Sequence, residues 1–175
     1  KRGFLLLDSD KLVSLIYKKP TKNFLNFLTK IDLGSSISGS KINKKYISDK
    51  IFNNPEIKSN LENYIFKIIR KKRAHFITKE KKKKTKIIFL DIPLLFENKL
   101  NKKFDLIISI ISSQEKRYKR LKKSKKINKT LFKKILKSQT SDLVRKNNSD
   151  IVITNNDVME KYLSKINKTL DRITK

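Results

Sequence analysis

Short apolar runs, each closed by a polar residue and separated from the next by helix-like patterning, constrain this chain more than any other feature. Phe4-Leu5-Leu6-Leu7 runs into Asp8-Ser9-Asp10, Ile87-Ile88-Phe89-Leu90 into Asp91, and Ile151-Val152-Ile153-Thr154 into Asn155; one more run spans residues 106–111. Runs this short, without polar alternation, read as strands buried on both faces, which is the mark of a parallel sheet. The intervening segments carry the helical period. Residues 10–17 and 23–29 are short helical patterns, and another starts at Asn43 and continues through Ile47 and Ile51. After a break at Asn53-Asn54-Pro55, a long helix places Ile57, Leu61, Tyr64, Ile65, Ile68 and Ile69 on one stripe. Residues 113–123 and 129–139 read as basic helices and 158–173 as a closing helix. Residues 31–41, rich in Gly and Ser, read as a loop, and the charge run 79–84 as a solvated helix end or loop. Strands alternating with helices predict an α/β fold with a parallel sheet.

Composition narrows the chemistry. A length of 175 residues suits one domain with room for a small insertion. There is no Cys and a single His, which rules out disulfides and thiol chemistry and leaves zinc almost without ligands. No uncharged apolar run approaches the roughly 18 residues of a membrane span, and no secretory signal is visible, so a cytoplasmic location is expected. With 45 Lys and Arg against 16 Asp and Glu, the formal charge is +29. Such a surface attracts polyanions at low salt. However, most of the cations are Lys, and the chain is crowded with Lys, Ile and Asn, the residues of A/T-rich codons. Arg, the better reader of phosphates and bases, is scarce. Charge therefore leaves the function open.

The strand ends carry the more specific signal. Ligands of open α/β sheets bind beyond the carboxyl ends of the strands. Asp8, Asp10, Asp91 and Asn155 all stand at such ends. On extended backbone Asp8 and Asp10 would share one face; either could instead cap the following helix. Residues 116–145 are dense in cations, among them Arg117, Lys119, Arg120, Lys122, Lys123, Lys125, Lys126 and Arg145. They fit a clamp for a polyphosphate, or a solvated basic hairpin. His75 has no Ser or Asp partner in its neighbourhood and reads as structural or exposed. Tyr64, Phe66 and Phe76 read first as core aromatics. The phosphate-cradling motif G-x-x-x-x-G-K-[ST] does not occur.

In order and spacing, these segments resemble the dephospho-coenzyme A kinase family, which has the P-loop nucleoside-monophosphate-kinase-like fold. Leu6-Leu7-Asp8-Ser9-Asp10 is similar to the family's V-I-D-A-D strand end. Ile51-Phe52-Asn53-Asn54-Pro55-Glu56, followed by residues 61–70, resembles (I/V)-F-x-(N/D)-P-E…L-x-x-L-x-H-P-x-I-R. The most specific match is Asp91-Ile92-Pro93-Leu94-Leu95-Phe96-Glu97, against D-V-P-L-L-F-E. Gln139 and then Asp150-Ile151-Val152-Ile153-Thr154-Asn155 resemble Q…A-D-x-V-I-x-N. The ordered matches run from Lys1 to about Asp157.

The resemblance implies a five-stranded parallel sheet with a helical coenzyme-A-binding insertion and a lid. Residues 1–20, 86–115 and 146–175 would form the nucleotide-binding core, 21–85 the substrate-binding insertion and 116–145 the basic lid. The implied reaction is ATP-dependent phosphorylation of the ribose 3′-hydroxyl of dephospho-coenzyme A, with Mg2+. Asp10 would act as base and Asp8 would lie beside it. Tyr64, Phe66, Arg70, Pro93, Leu94, Leu95 and Glu97 would face the substrate. Arg120, Lys123, Lys125, Gln139, Arg145 and Asn155 would belong to the ATP site and lid. No protein metal cluster, membrane or physiological nucleic-acid partner is implied; a basic nucleic-acid-binding domain or a degenerate kinase is the alternative.

Some residues depart from the pattern. Phe66-Lys67 stands where the family has H-P, and Ser124 stands where a lid Arg is expected. Lys123 and Lys125 beside it supply charge without the bidentate fork. The family's first strand, P-loop and first helix precede its D-A-D strand, whereas only Lys1-Arg2-Gly3 do so here. The expectation is a fragment or truncated gene model, inactive and poorly stable by itself, with two inner strand edges unpaired. A natural P-loop-less descendant is the other reading.

Overall fold

Chain chemistry sets each element of the first half. In the computed structural model, which describes residues 2–125 and 127–174, β1 covers Leu5–Asp8 and α1 covers Ser9–Lys18. Asp8 ends the strand and caps the helix, its carboxylate accepting the Lys11 N–H at 2.9 Å. Thr21 caps α2 (Lys22–Lys30) in the same way. A 3-10 turn comes next, and then two-residue strands β2 (Ile37–Ser38) and β3 (Lys41–Ile42) pair antiparallel around Gly39. The region read as a loop therefore contains a hairpin; Gly39 has φ +59°, which a glycine adopts without strain. Asn43 caps α3 (Lys44–Asn53). Asn54 then caps the 28-residue α4 (Pro55–Lys82), accepting the N–H groups of Glu56 and Ile57, with Pro55 in the first turn where it lacks only an orphan donor. The long helix absorbs most of the 79–84 charge run. The half ends with β4 (Ile88–Asp91), parallel to β1 in the register Leu5 with Ile88 to Asp8 with Asp91.

The core of this first unit, Lys1–Pro93, is helical. Phe24, Leu28 and Leu33 are almost wholly buried, and α4 packs Leu61, Ile65 and Ile69 against them. Those three positions lie on the stripe read from the sequence. Tyr64 stacks on Phe27 with ring centroids 3.9 Å apart. The strands are less covered than their composition suggests: Leu5 and Leu6 are 42% and 55% exposed. A two-stranded ladder that is apolar on both faces buries both only when layers pack on each side.

The second unit, Leu94–Lys175, alternates strand and helix. Here β5 (Ile108–Ile111) runs parallel to β6 (Ile151–Thr154), with Ile111 and Ile153 buried. Strand β5 starts two residues later than the apolar run, and the Ile107 N–H just before it donates to the Asp150 carboxylate at 2.7 Å. Between the strands lie α5 (Gln114–Lys125), α6 (Lys129–Lys137) and α7 (Asp142–Asn147). The last, capped by Ser141, falls in a stretch with no helical signal of its own. Helix α8 (Met159–Ile173) comes after β6. Among the described residues, β4 is laddered only to β1 and β5 only to β6.

Candidate functional site

Three acidic residues stand at the carboxyl end of the β1–β4 ladder. Asp8 and Asp91 are register partners across the ladder. Asp10 stands in the first turn of α1. The expectation that Asp8 and Asp10 share one strand face is therefore corrected: the strand stops at Asp8, and helical backbone from Ser9 onward sets the direction of Asp10. Asp8 is the capping residue, its two oxygens engaged by the Lys11 N–H at 2.9 Å and the Lys11 ammonium at 3.3 Å. These contacts hold its carboxyl below the ordinary range. The Asp91 carboxyl is pushed up, first by burial and then by the negative charges of Asp8 and Asp10. Ser9 is buried and ties the corner together, its hydroxyl donating to the Asp91 carbonyl at 2.7 Å. Asp10, free of the cap, is exposed.

Excess negative charge from hard oxygen donors suits a hard dication that is held mainly by phosphate and water. Among the described residues, no group of three or more His, Cys, Asp or Glu forms a metal site by itself.

The α4 residues expected to face the substrate divide by helix face. Phe66 is 42% exposed and Arg70, one turn on, is also exposed. Tyr64 sits instead with the core, stacked on Phe27, so its ring is not on the open face with the other two. Arg73 lies one turn beyond Arg70; burial, and then the Arg70 charge, lower its affinity for its proton. His75 is exposed. In the turn after β4, Pro93 and Leu94 are exposed, Leu95 is half-buried and Leu94 takes φ +57°. A cleft of about 670 Å3 opens elsewhere in the first unit, beside Asp32, Tyr46, Asp49 and Ile57, and none of the candidate residues lines it.

In the second unit the carboxyl ends of β5 and β6 form a polar corner. Arg120 donates to both the backbone and side-chain oxygens of Asn155, at 3.1 and 3.2 Å. Ser112 donates toward the Asn155 carbonyl and the Asn156 side chain at 3.0 Å each, and the Ser113 N–H bonds the same Asn156 oxygen at 2.8 Å. Lys116 donates its ammonium to the Asn156 carbonyl. Arg120 and Asn155, 35 residues apart in the chain, are thus in direct contact. Lys123 is exposed on α5, while the Lys125 side chain and Lys126 lie outside the described residues. Gln139 is half-buried just past α6.

Glu97 and Arg145 meet each other: Arg145 donates to the Glu97 carboxylate at 3.3 Å, and the Thr140 N–H to the same oxygen at 2.7 Å. Burial raises the Glu97 carboxyl, but the Thr140 and Arg145 donors outweigh it and hold the carboxyl below its ordinary range. Sequence reasoning passed over Ser112, Lys116 and Asn156 in this corner. The one available signal was the polar Asn155-Asn156 pair closing an apolar strand.

Two solved structures share this fold. A crystal structure from Thermus thermophilus aligns with TM-score 0.72 at 18% identity, over 99% of this chain and 86% of that one. A dephospho-CoA kinase from Campylobacter jejuni aligns at 0.71 with 24% identity, over 98% and 85%. Parallel ladders with polar groups gathered at their carboxyl ends, together with these likenesses, define the fold as α/β. The sequence goes further. The dephospho-CoA kinase family profile matches residues 1–161. The dephospho-CoA kinase of Fusobacterium nucleatum is 33% identical over 176 aligned positions, spanning 99% of this chain and 88% of that protein. The chain belongs to the dephospho-CoA kinase family, whose members use ATP to phosphorylate dephospho-CoA in coenzyme A biosynthesis.

Proposed function

We propose that this protein is a cytoplasmic kinase that transfers the γ-phosphate of magnesium-bound ATP to the ribose 3′-hydroxyl of dephospho-coenzyme A, with Asp10 as the base. The observation that carries the reading is the pairing of Asp8 with Asp91 at the end of one parallel ladder, with Asp10 in the first helical turn that follows. Phosphoryl transfer needs a carboxylate to orient the attacking hydroxyl and take its proton, together with cations that neutralise the transferred group. Asp8 is bound up as a cap, which leaves Asp10 as the carboxylate free to accept a proton. When bound, Mg2+ would neutralise charge on the phosphate oxygens, with Asp91 as a protein-side ligand. Arg120, Lys123 and Lys125 would supply lid cations, with Gln139, Arg145 and Asn155 completing the nucleotide side. Phe66 and Arg70, with Pro93, Leu94 and Leu95, would face dephospho-coenzyme A. In this assignment Tyr64 sets the pitch of α4 and Glu97 anchors Arg145. Residues 21–85 would serve as the substrate-binding part and 116–145 as the lid.

ADP release with magnesium-ATP and dephospho-coenzyme A tests the reading directly. Asp10→Asn keeps the size and exposure of the side chain and removes the base. Turnover is expected to fall by about 10²–10⁴-fold with an unchanged circular dichroism spectrum. Wild-type rates in that variant would remove Asp10 from the role of base, and a well-folded wild-type protein with no turnover would remove the catalytic reading.

A further inference from the structure

Arg117 and Asp142 belong to none of the family motifs, yet together they close a chain of charges through the second unit. Arg117 Nη2 donates to Asp142 Oδ2 at 2.7 Å. Asp142 Oδ1 lies 3.8 Å from Arg145 Nη1, and Arg145 Nη2 reaches Glu97 Oε1 at 3.3 Å. The four side chains are 19–31% exposed, shielded enough that their attraction exceeds that of surface pairs. At either end of the chain is a buried atom with no hydrogen-bond partner among the described residues, Glu97 Oε2 and Arg117 Nε.

The chain of charges links the loop that carries Leu94 and Leu95 to α7, and α7 to α5. Helix α5 is also held at a second place. One turn along from Arg117, Arg120 grips Asn155, and Lys116 grips Asn156. A helix fastened by charge-assisted bonds in two directions cannot roll about its axis without breaking one of them. Among the described residues Arg120 has no other support of comparable geometry: its further contact, with the Ser112 hydroxyl, is 3.5 Å long.

We infer that Arg117 and Asp142 are positioning residues for the nucleotide, fixing the roll of α5 so that Arg120 stays seated on Asn155. This rests on the assignment of Arg120 and Asn155 to the nucleotide side. The relay acts through α5 and makes no contact with the reacting atoms, so its loss weakens nucleotide binding before it affects the chemical step.

The test is nucleotide affinity and steady-state kinetics for Arg117→Gln, Asp142→Asn, the double variant and Arg117→Lys. A fluorescent ATP analogue reads Kd, and ADP release reads KM and kcat. Each single loss is expected to raise Kd and the KM for ATP about five- to ten-fold, with kcat changed less than two-fold. The double variant should do no worse than the poorer single, because both remove one interaction. Arg117→Lys should recover most of the affinity by restoring a cation opposite Asp142. Unchanged nucleotide affinity in both singles overturns the inference, and so does a loss confined to melting temperature or additivity in the double variant. Relay-dependent nucleotide binding without turnover of dephospho-coenzyme A would overturn the functional proposal alone. A wild-type protein that binds no nucleotide would overturn both.

Discussion

Asp91 holds a carboxylate where two others already stand, and that arrangement has a cost in stability. Its carboxyl is raised above the ordinary value of 3.8 by burial and by Asp8 and Asp10. A carboxyl whose folded value is raised favours the fold when protonated, and that advantage is lost as pH rises through the folded value. At neutral pH the folded protein therefore carries a small penalty at this residue. Asp91→Asn is expected to raise stability at pH 7 and to change it little at pH 4, while lowering kinase turnover. The residue is largely exposed, so solvent screening keeps the gain to about 0.5 kcal/mol at most. Melting temperatures of the two proteins at both pH values, read beside ADP release, check the prediction. Equal melting temperatures at pH 7 would mean that the three carboxylates do not repel one another. The type of each acidic residue was legible from its place after an apolar run. Which one becomes the cap was not, because Asp8 and Asp10 are equally able to cap, and only the point where the strand stops decides between them.

The helices of the first unit show how far local signals reach. Thr21, Asn43 and Asn54 each cap the next helix in the chain, and all three are residues with a strong preference for that position. The stripe Leu61, Ile65 and Ile69 on α4 was also readable, because a helix must turn one apolar face inward to bury it. What α4 packs against was not readable. Leu28 is wholly buried in that core, and Leu28→Ala should cost about 2–5 kcal/mol. Chemical denaturation followed by far-ultraviolet circular dichroism would register the loss; a cost under about 1 kcal/mol would show the helical core to be loosely packed. Helix α7 escaped notice because it is six residues long, too short for a 3.6-residue period to declare itself. The hairpin β2–β3 is shorter still, with two-residue strands.

Across the whole molecule, a charge of +29 outweighs any single interaction. Self-repulsion of that size destabilises a compact chain, and salt screens it over a Debye length of about 10 Å at 0.1 M. Raising ionic strength from about 50 to 500 mM should therefore raise the melting temperature by several degrees, in proportion to the change in Debye length. A falling melting temperature would mean that specific ion pairs such as Arg117–Asp142 count for more than the net charge. The sequence alone was enough to establish the alternation of strands and helices, the face of α4 and the ordered motifs that lead to the family. Each of these is set by neighbours a few residues apart, where period and spacing carry the information. Only the tertiary structure decided that Tyr64 goes to the core while Phe66 stays outside, that Arg120 meets Asn155, and that Glu97 and Arg145 join Asp142 and Arg117. Apart from the neighbouring Asp142 and Arg145, these partners are separated by 25 to 48 residues or by a packing choice between two faces of one helix. Contacts over such separations are made by the meeting of whole elements, which no local pattern records.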